Sequence, residues 1–289
     1  MVLENLIGFK KAEKKPVDLF FVGFLYASVA MFLSLWIFRD QTSLVMVFLT
    51  VMAALPLVYD IIKYEERKDM SRASESRLLR EHTKALSVFI FLFLGTVLSF
   101  SIWYIFLPEE VVSSAFSTQI NTIKNINSNI FAIESLTSNY ASGSELFGQI
   151  FANNLKVLMF SIFFSFFFGA GALFILVWNA SVISTAIGNF FRVNIGQYAD
   201  ALGYLKIAGY FHIFSLGLLR YFIHGIPEIL AYFIGGLAGG IISIAVTRHD
   251  VGTPQFKKVL IDSIDLIIIA VLMLFVAGLL EVYITPLFF

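Results

Sequence analysis

The sequence has no cysteine among its 289 residues, which excludes disulfides, thiolate metal sites and cysteine nucleophiles. Charged residues are also scarce, at 14% of the chain, where a typical soluble domain has roughly 25%. The 20 basic and 20 acidic residues balance, so the net charge indicates no nucleic-acid partner. This composition excludes a water-soluble enzyme, a nucleic-acid-binding protein and a disordered protein.

The motifs of common active sites are absent as well. The sequence has no G-x-S-x-G elbow, no phosphate-binding glycine loop, no dinucleotide fingerprint and no H-E-x-x-H zinc motif. Its four histidines do not form a haem or redox set. Asp262 and Asp265 are the plausible carboxylate couple, but their place in the first turns of a span favours interaction with the helix dipole. The sequence therefore predicts a protein without catalytic residues, metal or cofactor.

What is abundant is apolar surface. Hydrophobic residues make up 58% of the chain, and phenylalanine alone contributes 33 residues, more than a compact soluble fold of this size could hide from water. A helix needs about 20 mostly apolar residues to cross a bilayer. Six windows meet this requirement: Asp18–Phe38, Ser43–Ile62, Ala85–Phe106, Asn154–Trp178, Pro227–Val246 and Val259–Ile284.

A seventh window, Tyr204–Phe222, is apolar enough to span, although a helix lying at the interface or re-entering the membrane is the alternative. It carries three ionisable side chains, Lys206, His212 and Arg220. Basic residues concentrate on the cytoplasmic side of membrane proteins. Seven crossings place Arg192, Arg248 and Lys257 inside, whereas six would leave Arg248 and Lys257 outside. We therefore predict an all-α polytopic bundle of about seven spans, with six as the alternative, a cytoplasmic N-terminus and an external C-terminus.

Composition divides the chain into three parts. Residues 1–62 hold a cytoplasmic stretch and a hairpin of two spans, and residues 63–84, with seven basic side chains, form a cytoplasmic linker helix. Residues 85–289 form a five-span core that includes an external segment, residues 107–153. In this segment apolar residues recur at helical spacing, at Phe116, Ile120, Ile123, Ile126, Ile130 and Ile133. The stripe needs a cover, from the membrane surface, the chain's own spans, a second copy or another partner.

Ionisable residues inside membrane spans are costly, so each calls for a reason. His224 and Glu228 lie four residues apart, with Gly225 and a proline between them. The proline suits the first turn of a helix and the glycine a sharp bend, which favours a tight helical hairpin in which His224 and Glu228 form a hydrogen bond. A proton- or cation-handling site, with His212 and Arg220 as neighbours, is the alternative.

Small residues at close spacing form grooves in which another helix can approach closely. Such glycines occur in two places, at Gly169 and Gly171 and at Gly235, Gly236, Gly239 and Gly240. We expect these helices to pack against each other or across a two-fold axis. Asn153 and Asn154 are expected to cap the start of a span, and Asn179 to bind free carbonyl groups at its end.

Taken in chain order, these asparagines, glycines and the His224–Glu228 pair resemble a pattern of the stage II sporulation protein M family of integral membrane proteins. The resemblance rests on Asn153-Asn154, the glycine-bearing span that ends at Asn179, and the His224-Gly225-x-x-Glu228 element with the paired glycines after it. It covers about the last two-thirds of the chain, although alanine stands where the family usually has glycine after Asn179. The resemblance implies a polytopic scaffold. The founding member belongs to a membrane complex with cell-wall hydrolases in spore-forming bacteria, and the family is not known as an enzyme.

We therefore expect a multi-pass protein of the cell membrane that organises partner proteins and has no catalytic activity. Its expected partners are the lipid bilayer, a second copy of the chain in a homodimer, and other membrane or cell-envelope proteins. The alternative is a transporter or channel that uses the region of His224 and Glu228 as an ion or solute site.

Overall fold

The computed structural model describes residues 16–69, 75–125, 143–165, 170–195, 204–247 and 252–287, and the regular structure in these ranges is helical. In chain order the helices are α1 (Asp18–Ile37), α2 (Thr42–Asp69), α3 (Glu75–Phe106), α4 (Glu109–Ala115), α5 (residues 117–125), α6 (Gly143–Ser165), α7 (Ala170–Asn194), α8 (Tyr204–Thr247) and α9 (Pro254–Leu279). A 3-10 turn, Arg39–Gln41, joins α1 to α2, and α9 continues into a π-helical turn, Leu280–Ile284, and a 3-10 turn, Thr285–Leu287.

Seven helical segments are long and apolar enough to cross a bilayer, which confirms the all-α class and the predicted number of spans. They are Asp18–Ile37, Arg39–Tyr64, Leu86–Phe106, Gly143–Ser165, Leu173–Asn194, Tyr221–Thr247 and Phe256–Leu287. The first three and the last agree with the windows predicted from the sequence. The segments between residues 143 and 247 differ from them in two ways.

The predicted span Asn154–Trp178 is wrong, because it straddles the break between α6 and α7. Asn154 lies buried in the middle of α6, and Asn179 lies inside α7, where its side-chain Nδ2 donates to the carbonyl of Ile175 at 2.9 Å. Neither asparagine therefore caps a helix end as predicted. The run from residue 157 to 178 is apolar almost throughout, so its hydropathy does not distinguish one helix from two joined by an apolar turn.

The predicted hairpin at Gly225 and Pro227 is also wrong, because α8 runs without interruption through both residues. A proline inside a helix removes one backbone hydrogen bond, and neighbouring helices in a membrane bundle can compensate for that loss. The predicted spans Tyr204–Phe222 and Pro227–Val246 are thus one helix, of which the part Tyr221–Thr247 is long enough to span. The apolar stretch Ala208–Leu219 belongs to the same helix.

The predicted linker helix at residues 63–84 is, in its described part, the continuation of two spanning helices. α2 extends to Asp69 and α3 begins at Glu75, so both helices are longer than a bilayer requires. Their charged ends carry the basic residues that the sequence analysis assigned to a separate surface helix. The division of the chain into three parts remains a prediction.

Arg192 reveals a further difference. Its guanidinium donates to the carbonyl oxygens of Ile105, at 3.3 Å, and of Leu107, and it lies 5.4 Å from the ring centroid of Tyr104. The end of α7 and the end of α3 are therefore on the same side of the bundle. The sequence analysis placed Leu107 outside and Arg192 inside, and this is wrong because the two residues lie on the same side. Carbonyl groups at the end of a helix lack intrahelical partners, and here they supply the acceptors that a guanidinium needs.

The two N-terminal spans dock on the core through close backbone contact. A Cβ atom added at Gly23 would collide with the carbonyl of Leu92, and one at Gly95 with the carbonyl of Phe20, so α1 and α3 meet where both residues are glycine. Next to this crossing, Trp103 Nε1 donates to Ser28 Oγ at 2.9 Å. The close backbone contact at the two glycines and this hydrogen bond together hold α1 against α3.

The second half of α8 is the central element of the fold. Residues 231–240 are all buried, and α8 contacts α2, α3, α6, α7 and α9. Because lipid and side chains are equally apolar, burial by itself adds little driving force in a membrane, and close van der Waals packing is what holds such helices together. The central position of α8 also determines where its polar residues lie.

Candidate functional site

The polar residues of α8 form a cluster with the end of α9. His224 Nδ1 lies 3.2 Å from the hydroxyl oxygen of Thr285, and this hydroxyl donates its one hydrogen to the carbonyl of Leu280 at 3.0 Å. In the tautomer that carries its hydrogen on Nδ1, His224 donates to Thr285, and Nε2 is then the acceptor on the other side of the ring.

Glu228 is paired within its own helix. Tyr232 Oη donates to Glu228 Oε1 at 2.8 Å, and Tyr232 is 1% exposed. The predicted hydrogen bond between His224 and Glu228 is therefore replaced by two separate bonds, one to Thr285 and one from Tyr232. The carboxyl group of Glu281, in the turn after α9, is close enough to Glu228 for their charges to interact.

Sequence reasoning missed three members of this cluster, namely Tyr232, Glu281 and Thr285. Tyr232 was detectable, because it follows Glu228 by four residues and side chains at that spacing are neighbours on a helix. Glu281 lies in the last predicted span, 53 residues after Glu228 in the sequence. Its proximity to Glu228 depends on the antiparallel packing of α8 and α9, which no local pattern reveals.

Of the two predicted neighbours, His212 does not join the cluster. His212 is exposed on α8, and at 1.5 Å per residue it lies about 18 Å along the helix from His224. Arg220 belongs to α8, but its side chain lies outside the described part of the structure. Within that part, no group of three histidine, aspartate or glutamate side chains is arranged to hold a metal ion.

The glycines of α8 are used inside the chain. A Cβ atom at Gly235 would collide with Leu158, and one at Gly239 would lie 2.6 Å from the carbonyl oxygen of Ile162, both on α6. Gly240 faces α2 instead, where a Cβ atom would be 2.9 Å from the side chain of Ile62. Gly236 lines a void of about 10 Å³ beside α2 and α3. These glycines therefore contact helices of the same chain, and their face is already occupied by α6 and α2.

Asn153 and Asn179 both line a groove of about 600 Å³ between α6 and α7. Aromatic side chains line it together with these amides, namely Phe160, Phe164, Phe174 and Trp178. Asn154, by contrast, points into the bundle, where it is 7% exposed. Gly171 lies in the first turn of α7, and Gly169 lies outside the described residues.

The external segment folds onto the bundle. Phe116 is fully buried, with its ring 5.1 Å from that of Tyr104 and 6.3 Å from that of Phe100. Gln119 is also fully buried, and its Nε2 donates to the carbonyl of Ser43 at 2.9 Å and to Ser181 Oγ at 3.1 Å. The chain's own spans therefore cover the start of the predicted apolar stripe. Its later members, Ile126, Ile130 and Ile133, lie outside the described residues.

A second groove, of about 330 Å³, lies where α5 meets α7 and α8. Lys124, Asn189 and Tyr221 line it together with apolar side chains. Neither this groove nor the larger one between α6 and α7 includes His224 or Glu228 in its lining. His224 and Glu228 thus lie in the polar cluster of α8 and α9, whereas Asn153 and Asn179 line the separate groove between α6 and α7.

Comparison with known proteins identifies a family. The family described as stage II sporulation protein M matches residues 87–286, which begin in α3 and end after α9. No curated protein and no solved structure matches the chain. The match covers the five spans that carry the asparagines, the glycines and the His224–Glu228 element, and it leaves out α1 and α2. The chain is a membrane protein that belongs to the stage II sporulation protein M family.

Proposed function

We propose that this chain is a scaffold of the cell membrane that organises partner proteins and has no catalytic activity. The family to which it belongs is not a known enzyme family. In the proposed orientation the N-terminus is cytoplasmic and the C-terminus external, as the distribution of basic residues favours. Its partners are the lipid bilayer, a second copy of the chain, and other membrane or cell-envelope proteins.

One observation carries this proposal, the close packing of α8 against its neighbours. Gly235 and Gly239 meet α6, and Gly240 meets α2, at distances that leave no room for a methyl group. Transport sites are typically built where helices are broken and line a cavity. α8 is instead continuous through Pro227, and its glycine face is filled by neighbouring helices. Such an interior suits a rigid body that holds other proteins in place.

The test is whether other membrane proteins depend on this chain for their position. Proteins that co-purify with the tagged chain from native membranes are labelled, and their distribution in the membrane is compared with and without the chain. We expect them to disperse when the chain is removed. Glu228→Gln is the control variant, because a scaffold that moves no ion retains its function when this carboxyl is neutralised. Partners that keep their position without the chain would contradict the proposal.

A transporter or channel is the second candidate, and the polar cluster favours it. His224, Glu228 and Glu281 gather between α8 and α9 together with two hydroxyl groups, and ionisable residues in spans commonly mark ion or proton pathways. Ion and proton flux into proteoliposomes tests this candidate directly. Flux that disappears in Glu228→Gln would establish it, and the absence of flux from wild-type protein would reject it.

A further inference from the structure

Two exposed charges lie on spanning helices. Lys156 is exposed near the centre of α6, a helix of 23 residues, and Asp265 is exposed in the first half of the last span, nine residues after its start at Phe256. Neither side chain has a polar partner among the residues that the structure describes. A charged group in contact with hydrocarbon is strongly unfavourable, so such residues normally face protein or water.

Both charges belong to exposed helix faces. On α6 the exposed residues recur at steps of three and four, at Glu145, Gln149, Ala152, Lys156, Met159 and Phe163. On α9 they recur in the same way, at Ile261, Asp265, Ile268, Leu272 and Phe275. These two faces are called the α6 face and the α9 face below. The α9 face presents one charge, Asp265, among apolar side chains. The α6 face presents Lys156 between Ala152 and Met159, with Glu145 and Gln149 nearer the start of the helix, and Lys156 and Asp265 have opposite sign.

The packing of α6 against α9 shows that the two charges lie at similar levels. The ring of Phe275 is 5.2 Å from that of Phe147 and 6.0 Å from that of Phe151. Further along the pair, a Cβ atom at Gly143 would lie 2.9 Å from the ring of Tyr283, so the helices are antiparallel. Continued at 1.5 Å per residue, this register places Asp265 within about one helical turn of the level of Lys156.

We propose that the α6 face and the α9 face form the interface of a homodimer, in which Lys156 of each copy pairs with Asp265 of the other. A two-fold axis along the membrane normal keeps every residue at its own depth, and in such a dimer contacts are reciprocal. Two charges of opposite sign within about one helical turn of the same depth meet this requirement twice. The glycine face of α8 is not available for the same role, because α6 and α2 occupy it.

This inference rests on the proposed function, in which a second copy of the chain is a partner. It identifies the surface through which the two copies meet. A partner with two-fold symmetry also explains why neither charge is neutralised within its own chain. A different protein would have to supply both a carboxylate and a basic group at matching depths, whereas a second copy supplies both.

Cross-linking tests the interface, and the natural absence of cysteine gives a clean background. Two differently tagged copies are co-expressed, one with Lys156→Cys and one with Asp265→Cys, and are treated with a short bismaleimide. We expect a cross-linked pair that carries both tags. In the matched control Leu25→Cys, which is 58% exposed on α1, replaces Asp265→Cys and yields no such pair. No cross-link at 156 and 265, or equal cross-linking in the control, would overturn the proposal.

Charge reversal gives an independent measurement that does not depend on cysteine. Lys156→Asp places like charges opposite each other and should raise the dimer dissociation constant in detergent by at least about tenfold. The double variant Lys156→Asp with Asp265→Lys should restore it, which also shows that both variants fold. A dimer indifferent to these changes would reject this surface and leave the homodimer intact. A wild-type chain that is monomeric at every concentration would reject the homodimer itself, and partner positioning would remain a separate test.

Discussion

Replacing Gly239 with alanine should destabilise the protein through the contact between α8 and α6. The new Cβ atom would lie 2.6 Å from the carbonyl oxygen of Ile162 and 3.0 Å from Cβ of Ser165, where ordinary contacts begin at 3.4 Å. The backbone of α6 would have to retreat by about 0.8 Å over several residues. Overpacking of this kind costs about 1–3 kcal/mol.

Gly225 supplies the matched control, because it lies in the same helix and a Cβ atom there meets nothing within 4 Å among the described residues. Both substitutions gain helix propensity of up to about 1 kcal/mol. The difference in the free energy of unfolding between the two variants therefore isolates the cost of overpacking at Gly239. Gly225→Ala should be the more stable variant by about 1–3 kcal/mol. Unfolding by SDS titration in mild detergent measures this difference. Equal free energies of unfolding would refute the argument that glycine is required where α8 meets α6.

Three further predictions concern buried hydrogen bonds, each of which should cost about 1–3 kcal/mol when one partner is left unpaired. Ser28→Ala removes the acceptor of Trp103 and should lower the thermal midpoint more than Ser99→Ala, which leaves Trp103 paired; equal effects would contradict this. Gln119→Leu removes two donors from α5 and should speed proteolysis of residues 117–125, while Thr122→Val, which loses only a bond within α5, should not. Tyr232→Phe removes the donor to Glu228 and should lower the thermal midpoint, and an unchanged midpoint would show that this bond contributes nothing.

The fold class and the number of spans were predictable, because length and hydropathy alone determine which segments can cross a bilayer. The positions at which individual spans begin and end were harder to predict from the sequence. Pro227 has a strong tendency to begin a helix, and only the surrounding helices allow α8 to continue through it. The helices α6 and α7 end and begin within an apolar run of the sequence, where no charged residue marks a boundary.

The candidate site was predictable only in part. His224 and Glu228 were found because ionisable residues are conspicuous in apolar windows, but their partners come from packing. Thr285 and Glu281 reach the cluster because α9 lies antiparallel to α8, which their own sequence neighbourhood does not indicate. The glycine spacing indicates close helix packing, but which helices the glycines of α8 meet depends on the tertiary structure.

The most direct test of the account is the position of co-purifying membrane proteins in cells that express the wild-type chain, no chain, or Glu228→Gln. The account predicts that these proteins disperse without the chain and that Glu228→Gln restores their arrangement as fully as the wild type does. Partners that remain in place without the chain would contradict the scaffold. Failure of a stably inserted Glu228→Gln variant to restore them would instead point to ion handling at the cluster of α8 and α9.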